Sequence, residues 1–158
     1  MVELDMKFYL GNLTVNVNLW SKNEHKFIKT PALFDTGAHT THIDTIALIN
    51  LGYDLDNADT TYISTVGSSN MQINNTIIDN IKLGELELGA VLVNFSDISD
   101  ISCPVVLGLN IIKEFKVTLD FKNMKMLMEP DFDTEYKIPA EDFSRYGSRF
   151  GMWVMKES

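Results

Sequence analysis

The chain has 158 residues, of which 45% are hydrophobic, and it carries a formal net charge of -9 at pH 7. This length and composition predict one globular domain with its own core. The acidic balance argues against nucleic acid and anionic membranes as partners, because both are polyanions that need a basic protein face.

Cysteine content and the N-terminal residues bear on cellular location. The single cysteine, Cys103, excludes an intrachain disulfide, and its apolar surroundings in the sequence predict a buried, unreactive thiol. Glu3, Asp5 and Lys7 fall where a signal peptide needs an unbroken apolar core. No segment approaches the roughly 20 apolar residues of a membrane span. We therefore expect a cytoplasmic protein.

Period-two alternation of apolar and polar residues opens the chain. It covers residues 2–10 and, after Gly11-Asn12, resumes over residues 13–19. This pattern predicts a β-hairpin with one buried face.

A third strand is predicted at residues 25–30, and residues 31–34 continue it as an apolar strand that runs directly into Asp35-Thr36-Gly37-Ala38. An apolar strand that ends in Asp-Thr-Gly places a carboxylate at a tight loop. Glycine there lets the backbone and a substrate approach closely.

The best helix candidate follows this loop. Asp44 is a suitable N-cap, Ile46, Leu48 and Ile49 share one predicted face, and Gly52 stands where left-handed geometry ends a helix.

The β pattern returns in the second half. Predicted strands, in chain order, are residues 60–66, 71–78, 81–83, 88–95, 105–108 and 117–121, with a return through residues 124–128. The polar tip Gly67-Ser68-Ser69-Asn70 predicts a projecting hairpin. A short helix is predicted at residues 110–115, directly after the apolar strand that ends in Gly108.

Residues 32–38, the hairpin centred on Gly67 and residues 105–110 together resemble the retropepsin family of aspartic peptidases in order and spacing. The resemblance covers residues 27–128. It implies a mainly β, single-domain acid-protease barrel of residues 1–129, with one or two short helices, that is active as a symmetric dimer. Residues 130–158 are then a C-terminal extension of unknown role.

By this resemblance Asp35 is the catalytic carboxylate, Thr36 packs and hydrogen-bonds across the dimer axis, and Gly37 lies against the substrate backbone. Because the chain has one Asp-Thr-Gly, the second carboxylate must come from a second copy. Two carboxylates about 3 Å apart share one proton, so one activates water while the other protonates the peptide carbonyl. The implied activity is hydrolysis of peptide bonds in extended polypeptides, with no cofactor or metal.

Substrate contacts are expected from two places. Ala38 and His39 follow the catalytic loop, and Val66, Gly67 and Ser68 lie at the tip of a hairpin that would close over the substrate as a flap.

The sequence departs from the viral pattern at two positions. Viral members often carry an acidic residue after Asp-Thr-Gly-Ala and an arginine after the second glycine, where this chain has His39 and Leu109. Loss of both halves of this pair fits an alternative dimer interface. A competing interpretation is a non-catalytic dimeric module that binds peptides or acts as a scaffold on the same fold.

A metal site is a further alternative, since Asp35, His39, His42 and Asp44 combine histidines with acids. Their spacing does not match the helical His-Glu-x-x-His pattern, and we expect no metal.

Overall fold

The structure, a computed structural model, describes residues 1–56, 58–65, 68–101, 103–143 and 149–151. For residues 61–65 and 68–71 only the backbone is described. In the described part the chain forms thirteen strands, two short helices and a 3-10 turn at Ala140–Asp142. The bounds are β1 Val2–Asp5, β2 Lys7–Tyr9, β3 Asn12–Ser21, β4 Lys26–Phe34, β5 His42–Asp44, α1 Thr45–Asn50, β6 Asp59–Thr65, β7 Ser68–Ile78, β8 Ile81–Leu83, β9 Leu86–Glu87, β10 Val91–Ser96, β11 Val105–Leu107, α2 Leu109–Ile112, β12 Phe115–Asp120 and β13 Lys125–Pro130.

The strands form two sheets. The larger sheet has the order β6-β7-β10-β5-β11-β4-β3-β8-β9, with β2 paired to β3, and the smaller sheet has the order β1-β13-β12. Apolar side chains from both sheets share one core, in which Val17, Ile43, Leu107 and Met126 are completely buried. The mainly β prediction with two short helices is confirmed. Among the described residues, no helix is long and apolar enough to cross a membrane.

The prediction of an N-terminal hairpin is correct only for the residues nearest its turn. β2 pairs with β3, but β1 leaves the hairpin and pairs with β13, where Val2 lies opposite Met128. The buried face also ends early, since Met6 is buried whereas Phe8 and Leu10 are exposed. Period-two alternation cannot reveal this change, because a strand alternates in the same way whichever strand it pairs with.

Strand β11 lies between β4 and β5, which are consecutive in the chain. It runs parallel to β4, with Leu107 opposite Phe34, and antiparallel to β5. Residues 35–41 therefore cross over the end of β11. This threading holds the Asp-Thr-Gly loop against the end of β11, next to Gly108.

The helix after the loop has the predicted ends but not the predicted face. Asp44 caps α1 by accepting from the Ala47 N–H, and Gly52 adopts a φ of 95°. Leu48 is fully buried, while Ile46 and Ile49 are 60% and 51% exposed. The predicted apolar face is thus buried only at Leu48, because a helix of six residues turns only a narrow side toward the core.

Strands β6 and β7 form the predicted hairpin at one edge of the larger sheet, but β7 begins at Ser68 rather than at residue 71, so residues 68–70 of the predicted tip belong to the strand. Their backbones pair from Asp59 opposite Asn75 to Thr65 opposite Ser68, with a register shift between Ile63 and Thr65. The two residues at the tip, Val66 and Gly67, lie outside the described residues.

Candidate active site

Asp35 lies directly after β4, at the start of a tight turn. The Gly37 N–H donates to Asp35 Oδ1 at 2.8 Å, and the Ala38 N–H donates to the Asp35 carbonyl at 3.3 Å. The Asp35 N–H in turn donates to the Leu107 carbonyl at 3.1 Å, which continues the β4–β11 ladder by one residue. Backbone groups on both sides thus fix the direction of the carboxylate.

The turn is presented at the surface of the single chain. Thr36 and Gly37 are exposed, and Asp35 is half-buried. A β-carbon at position 37 would lie 3.1 Å from Asp35 Oδ1, so any larger residue would crowd the carboxylate. A side chain at position 37 would therefore press on the carboxylate that the Gly37 N–H holds.

Gly108 supports the loop from beneath. A β-carbon there would lie 2.6 Å from the Thr40 carbonyl carbon and 2.8 Å from the Thr41 nitrogen. Because backbone atoms cannot move aside as a flexible side chain can, only glycine allows this approach. The two motifs on which the resemblance to retropepsins rests, the Asp-Thr-Gly loop and the segment that contains Gly108, are thus in direct contact.

The first turn of α2 adds hydrogen bonds to the same loop. The Leu109 N–H donates to the Ala38 carbonyl at 2.8 Å, and the Asn110 N–H donates to the His39 carbonyl at 3.1 Å. These backbone bonds fasten residues 38–39 to the second motif.

A buried polar network around Asn110, which was not predicted, completes the support. Asn110 Oδ1 accepts from both the N–H and the hydroxyl of Thr41 at 2.8 Å, and Thr41 Oγ1 accepts from the Gly108 N–H at 3.1 Å. Asn110 Nδ2 donates to the carbonyls of Leu92 and Phe150 at 2.9 and 3.1 Å. A buried carboxamide whose oxygen and nitrogen both have all their hydrogen bonds made holds its neighbours rigidly in place. The signal in the sequence was the polar residue inside the otherwise apolar run 105–112.

The predicted substrate contacts divide into two groups. Ala38 is half-buried and its backbone N–H and carbonyl are both hydrogen-bonded, whereas the His39 side chain is exposed. Of the tip residues, Ser68 begins β7 by its backbone, and Val66 and Gly67 lie outside the described residues.

His42 and Asp44, weighed above as metal ligands, have other partners. His42 Nε2 lies 2.8 Å from Ser96 Oγ, and burial lowers the pKa of this imidazole despite the opposing effect of Asp44. The Asp44 carboxylate accepts from the Ile98 N–H in addition to capping α1. In the part of the chain that the structure describes, no group of three His, Cys, Asp or Glu side chains is placed to hold a metal ion.

A cavity of about 250 Å³ lies apart from the loop. Its lining includes Lys7, Tyr9, Thr14, Pro31 and the buried Cys103, and none of the predicted site residues. Its walls are mainly apolar, and it does not adjoin the Asp35 carboxylate.

Comparison with known families agrees with the geometry. A family model described as "gag-polyprotein putative aspartyl protease" matches residues 23–114, a segment that contains the Asp35 loop, the β6–β7 hairpin and Gly108. No curated protein sequence matches the chain.

Two solved structures are similar in fold. A retropepsin-like aspartic protease from Rickettsia conorii is 20% identical, with a TM-score of 0.59 over 80% of this chain and 90% of that one. The retroviral protease-like domain of Ddi1 from Leishmania major is 17% identical, with a TM-score of 0.45 over 77% of this chain and 97% of that domain. The first similarity shows a retropepsin-like fold.

Proposed function

Because the chain belongs to the retropepsin-like aspartyl protease family, we propose that it is an aspartic endopeptidase that acts as a homodimer. Each subunit contributes one Asp35 to a shared site. The substrate is an extended segment of polypeptide, bound by strand-like backbone pairing with pockets for alternate side chains.

One observation carries this proposal: the Asp35 carboxylate is held at 2.8 Å by the Gly37 N–H in an exposed loop that Gly108 supports from below. A general acid or base must be fixed in direction and still reach its substrate. Asp35 meets both conditions, since its turn lies at the surface and its carboxylate is already hydrogen-bonded.

The dimer follows from the count of carboxylates. The sequence contains one Asp-Thr-Gly, and proton sharing needs two carboxylates about 3 Å apart. In the pair, the ionised member takes a proton from water, and the neutral member donates to the carbonyl of the scissile bond. The exposed position of Thr36 leaves it available to a second copy. A substrate cleft that forms between two subunits would not be visible as a cavity in one chain. The cavity found elsewhere in the single chain is therefore no argument against a site at Asp35.

The β6–β7 hairpin is proposed to act as a flap. It stands at the edge of the larger sheet, so its far end has few strands to restrain it. Closure over a bound peptide would exclude water and add backbone hydrogen bonds. The proposed substrate contacts are Ala38 and His39, which follow the catalytic turn, and Val66, Gly67 and Ser68 of the hairpin sequence. We also propose a cytoplasmic location.

The first test compares the wild type with Asp35→Asn on unfolded casein and on a peptide library. The amide cannot exchange the shared proton, so hydrolysis should fall by several orders of magnitude while the fold is kept. Asp100→Asn, which changes an exposed loop carboxylate, is the matched control and should keep full activity. Saturable peptide binding by a wild type that cleaves nothing would instead favour the non-catalytic module.

A further inference from the structure

One edge of β10 is shared between the active-site loop and the C-terminal extension. Strand β5 pairs with β10 only from Asn94 to Ser96, and the Asn94 N–H also donates to the Thr41 carbonyl at 2.9 Å. Leu92 of β10 and Ala90, which directly precedes the strand, face the same side beyond the reach of β5, and both are buried. Their N–H groups need acceptors inside the protein.

The extension supplies these acceptors. The Ile138 carbonyl accepts from the Ala90 N–H at 2.9 Å, and the Phe150 carbonyl accepts from the Leu92 N–H at 3.1 Å. Ile138 also forms a parallel bridge with Gly89. Along this side of β10, the carbonyl of Thr41 is therefore followed by two further acceptors, the carbonyls of Phe150 and Ile138 from the extension.

The Phe150 carbonyl also meets the buried network of the site. It accepts from Asn110 Nδ2 at 3.1 Å, while Oδ1 of the same carboxamide holds the N–H and hydroxyl of Thr41. One asparagine side chain thus joins the extension to the segment that crosses over Gly108. If the Phe150 carbonyl were withdrawn, one Nδ2 hydrogen would be left unpaired in the core, and the carboxamide could rotate.

Several contacts hold Phe150 in this place. Its ring is 1% exposed and meets the Phe132 ring edge-on at 5.4 Å. The Arg149 guanidinium lies 4.5 Å from the centre of the Phe132 ring and donates to the carbonyls of Asp133 and Tyr136. Phe150 has a φ of 64°, a left-handed conformation that a phenylalanine keeps only when its surroundings impose it. The buried ring thus fixes the position of Phe150 and, with it, the position of the Phe150 carbonyl.

We propose that Phe150 is a positioning residue for the active site: its buried ring places its carbonyl on Asn110, which in turn fixes Thr41 and the loop that carries Asp35. The consequence for catalysis rests on the proposed function, whereas the coupling between the extension and the loop does not.

The first experiment compares two shortened chains, one ending at residue 148 and one ending at residue 151. Hydrogen exchange is followed at the Leu109 and Asn110 amides, which donate to Ala38 and His39. These amides should exchange at least tenfold faster in the chain ending at 148 than in the chain ending at 151. The amides of β8, which pairs with β3 away from this network, serve as the internal reference and should exchange equally in both. Equal exchange at Leu109 and Asn110 in two folded chains would overturn the proposal.

Point variants of the full chain keep the proposal testable if the shorter chain does not fold. Phe150→Ala removes the buried ring, Phe150→Leu retains much of its volume, and Leu83→Ala makes a cavity at an equally buried position in β8. At a temperature at which all variants are folded, kcat for Phe150→Ala should fall at least tenfold below that for Leu83→Ala. Phe150→Leu should recover most of the loss. KM should change less than kcat, because the binding surface is affected only at residues 38–39 whereas every turnover needs the carboxylate in place. The mass of the dimer should be unchanged.

The outcomes separate the two proposals. A wild type without peptidase activity would contradict the proposed function, while faster exchange at Leu109 and Asn110 in Phe150→Ala would still support the positioning role. An active enzyme in which Phe150→Ala and Leu83→Ala have equal kcat would overturn the positioning role and leave the proposed function intact.

Discussion

Gly108 lies so close beneath Thr40 that a β-carbon at position 108 would stand 2.6 Å from the Thr40 carbonyl carbon. Such a distance is well inside van der Waals contact, and the neighbour is backbone, so one of the two segments would have to move. The close approach of these residues sets the height of the Asp35 loop above β11.

Gly108→Ala should therefore lower the free energy of unfolding by about 3 kcal/mol and reduce peptidase activity as well. Gly11→Ala is the matched control, because no atom lies within 4 Å of a β-carbon there and only its φ of 82° is unfavourable. That control should cost about 1 kcal/mol. Denaturant unfolding of the three proteins measures the difference. Equal losses in the two variants would show that the loop adjusts freely over position 108.

The Thr41 hydroxyl is a second structural requirement of the loop, since it donates to Asn110 Oδ1 and accepts from the Gly108 N–H. Thr41→Val keeps the shape but leaves that N–H buried without an acceptor, which should destabilise the protein by about 2 kcal/mol. Thr41→Ser retains the hydroxyl and should be closer to the wild type. Chemical denaturation distinguishes the two substitutions; a serine variant as unstable as the valine variant would assign the loss to the missing methyl group.

His42 should make stability depend on pH. Burial lowers its pKa in the folded protein below the ordinary value of 6.5, so below that pH the unfolded state binds more protons than the folded state. Stability should thus fall as pH is lowered from about 6.5 toward the folded pKa, and His42→Gln should remove this part of the slope. Unfolding free energies at several pH values measure it, with exposed His25→Gln as the control. A slope that survives in His42→Gln would locate the proton uptake elsewhere.

Ala38 bears on the pH dependence of catalysis. A serine hydroxyl at this position could donate to the catalytic carboxylate and favour its ionised form. Ala38→Ser should then move the upper limb of the kcat/KM profile to lower pH by up to about one unit. The profile is measured on a peptide that does not titrate in the range, with Ala47→Ser in α1 as a control of the same chemical change. An unchanged or upward-shifted limb would show that the hydroxyl does not reach the pair of carboxylates.

Much of the fold and the central loop could be predicted from local patterns. Local sequence was enough to predict three features: the Asp44 cap, the Gly52 turn and the bounds of β8. Each depends only on residues a few positions away in the chain. The relation of Asp35 to the segment that ends in Gly108 was implied by the resemblance to retropepsins, and glycine is the residue that such a close approach requires.

What the sequence could not predict depends on distant backbone groups. Nothing in the alternation of residues 2–10 indicates that Val2 pairs with Met128 while Lys7 pairs with Thr14. Likewise, Asn110 binds the carbonyl of Phe150, and a carbonyl is common to every residue type. The apolar side chain of Phe150 likewise gives no indication of which groups its carbonyl binds.

The measurement that tests the shared site most directly mixes wild-type and Asp35→Asn subunits at a constant total concentration and follows hydrolysis after the subunits have exchanged. If each active site needs one Asp35 from each subunit, activity depends on the square of the wild-type fraction, so an equal mixture retains about one quarter of the full rate. Sedimentation equilibrium on the same samples should give about twice the mass of the single chain. An equal mixture that retains about half the rate, or a fully active monomer, would contradict the shared site.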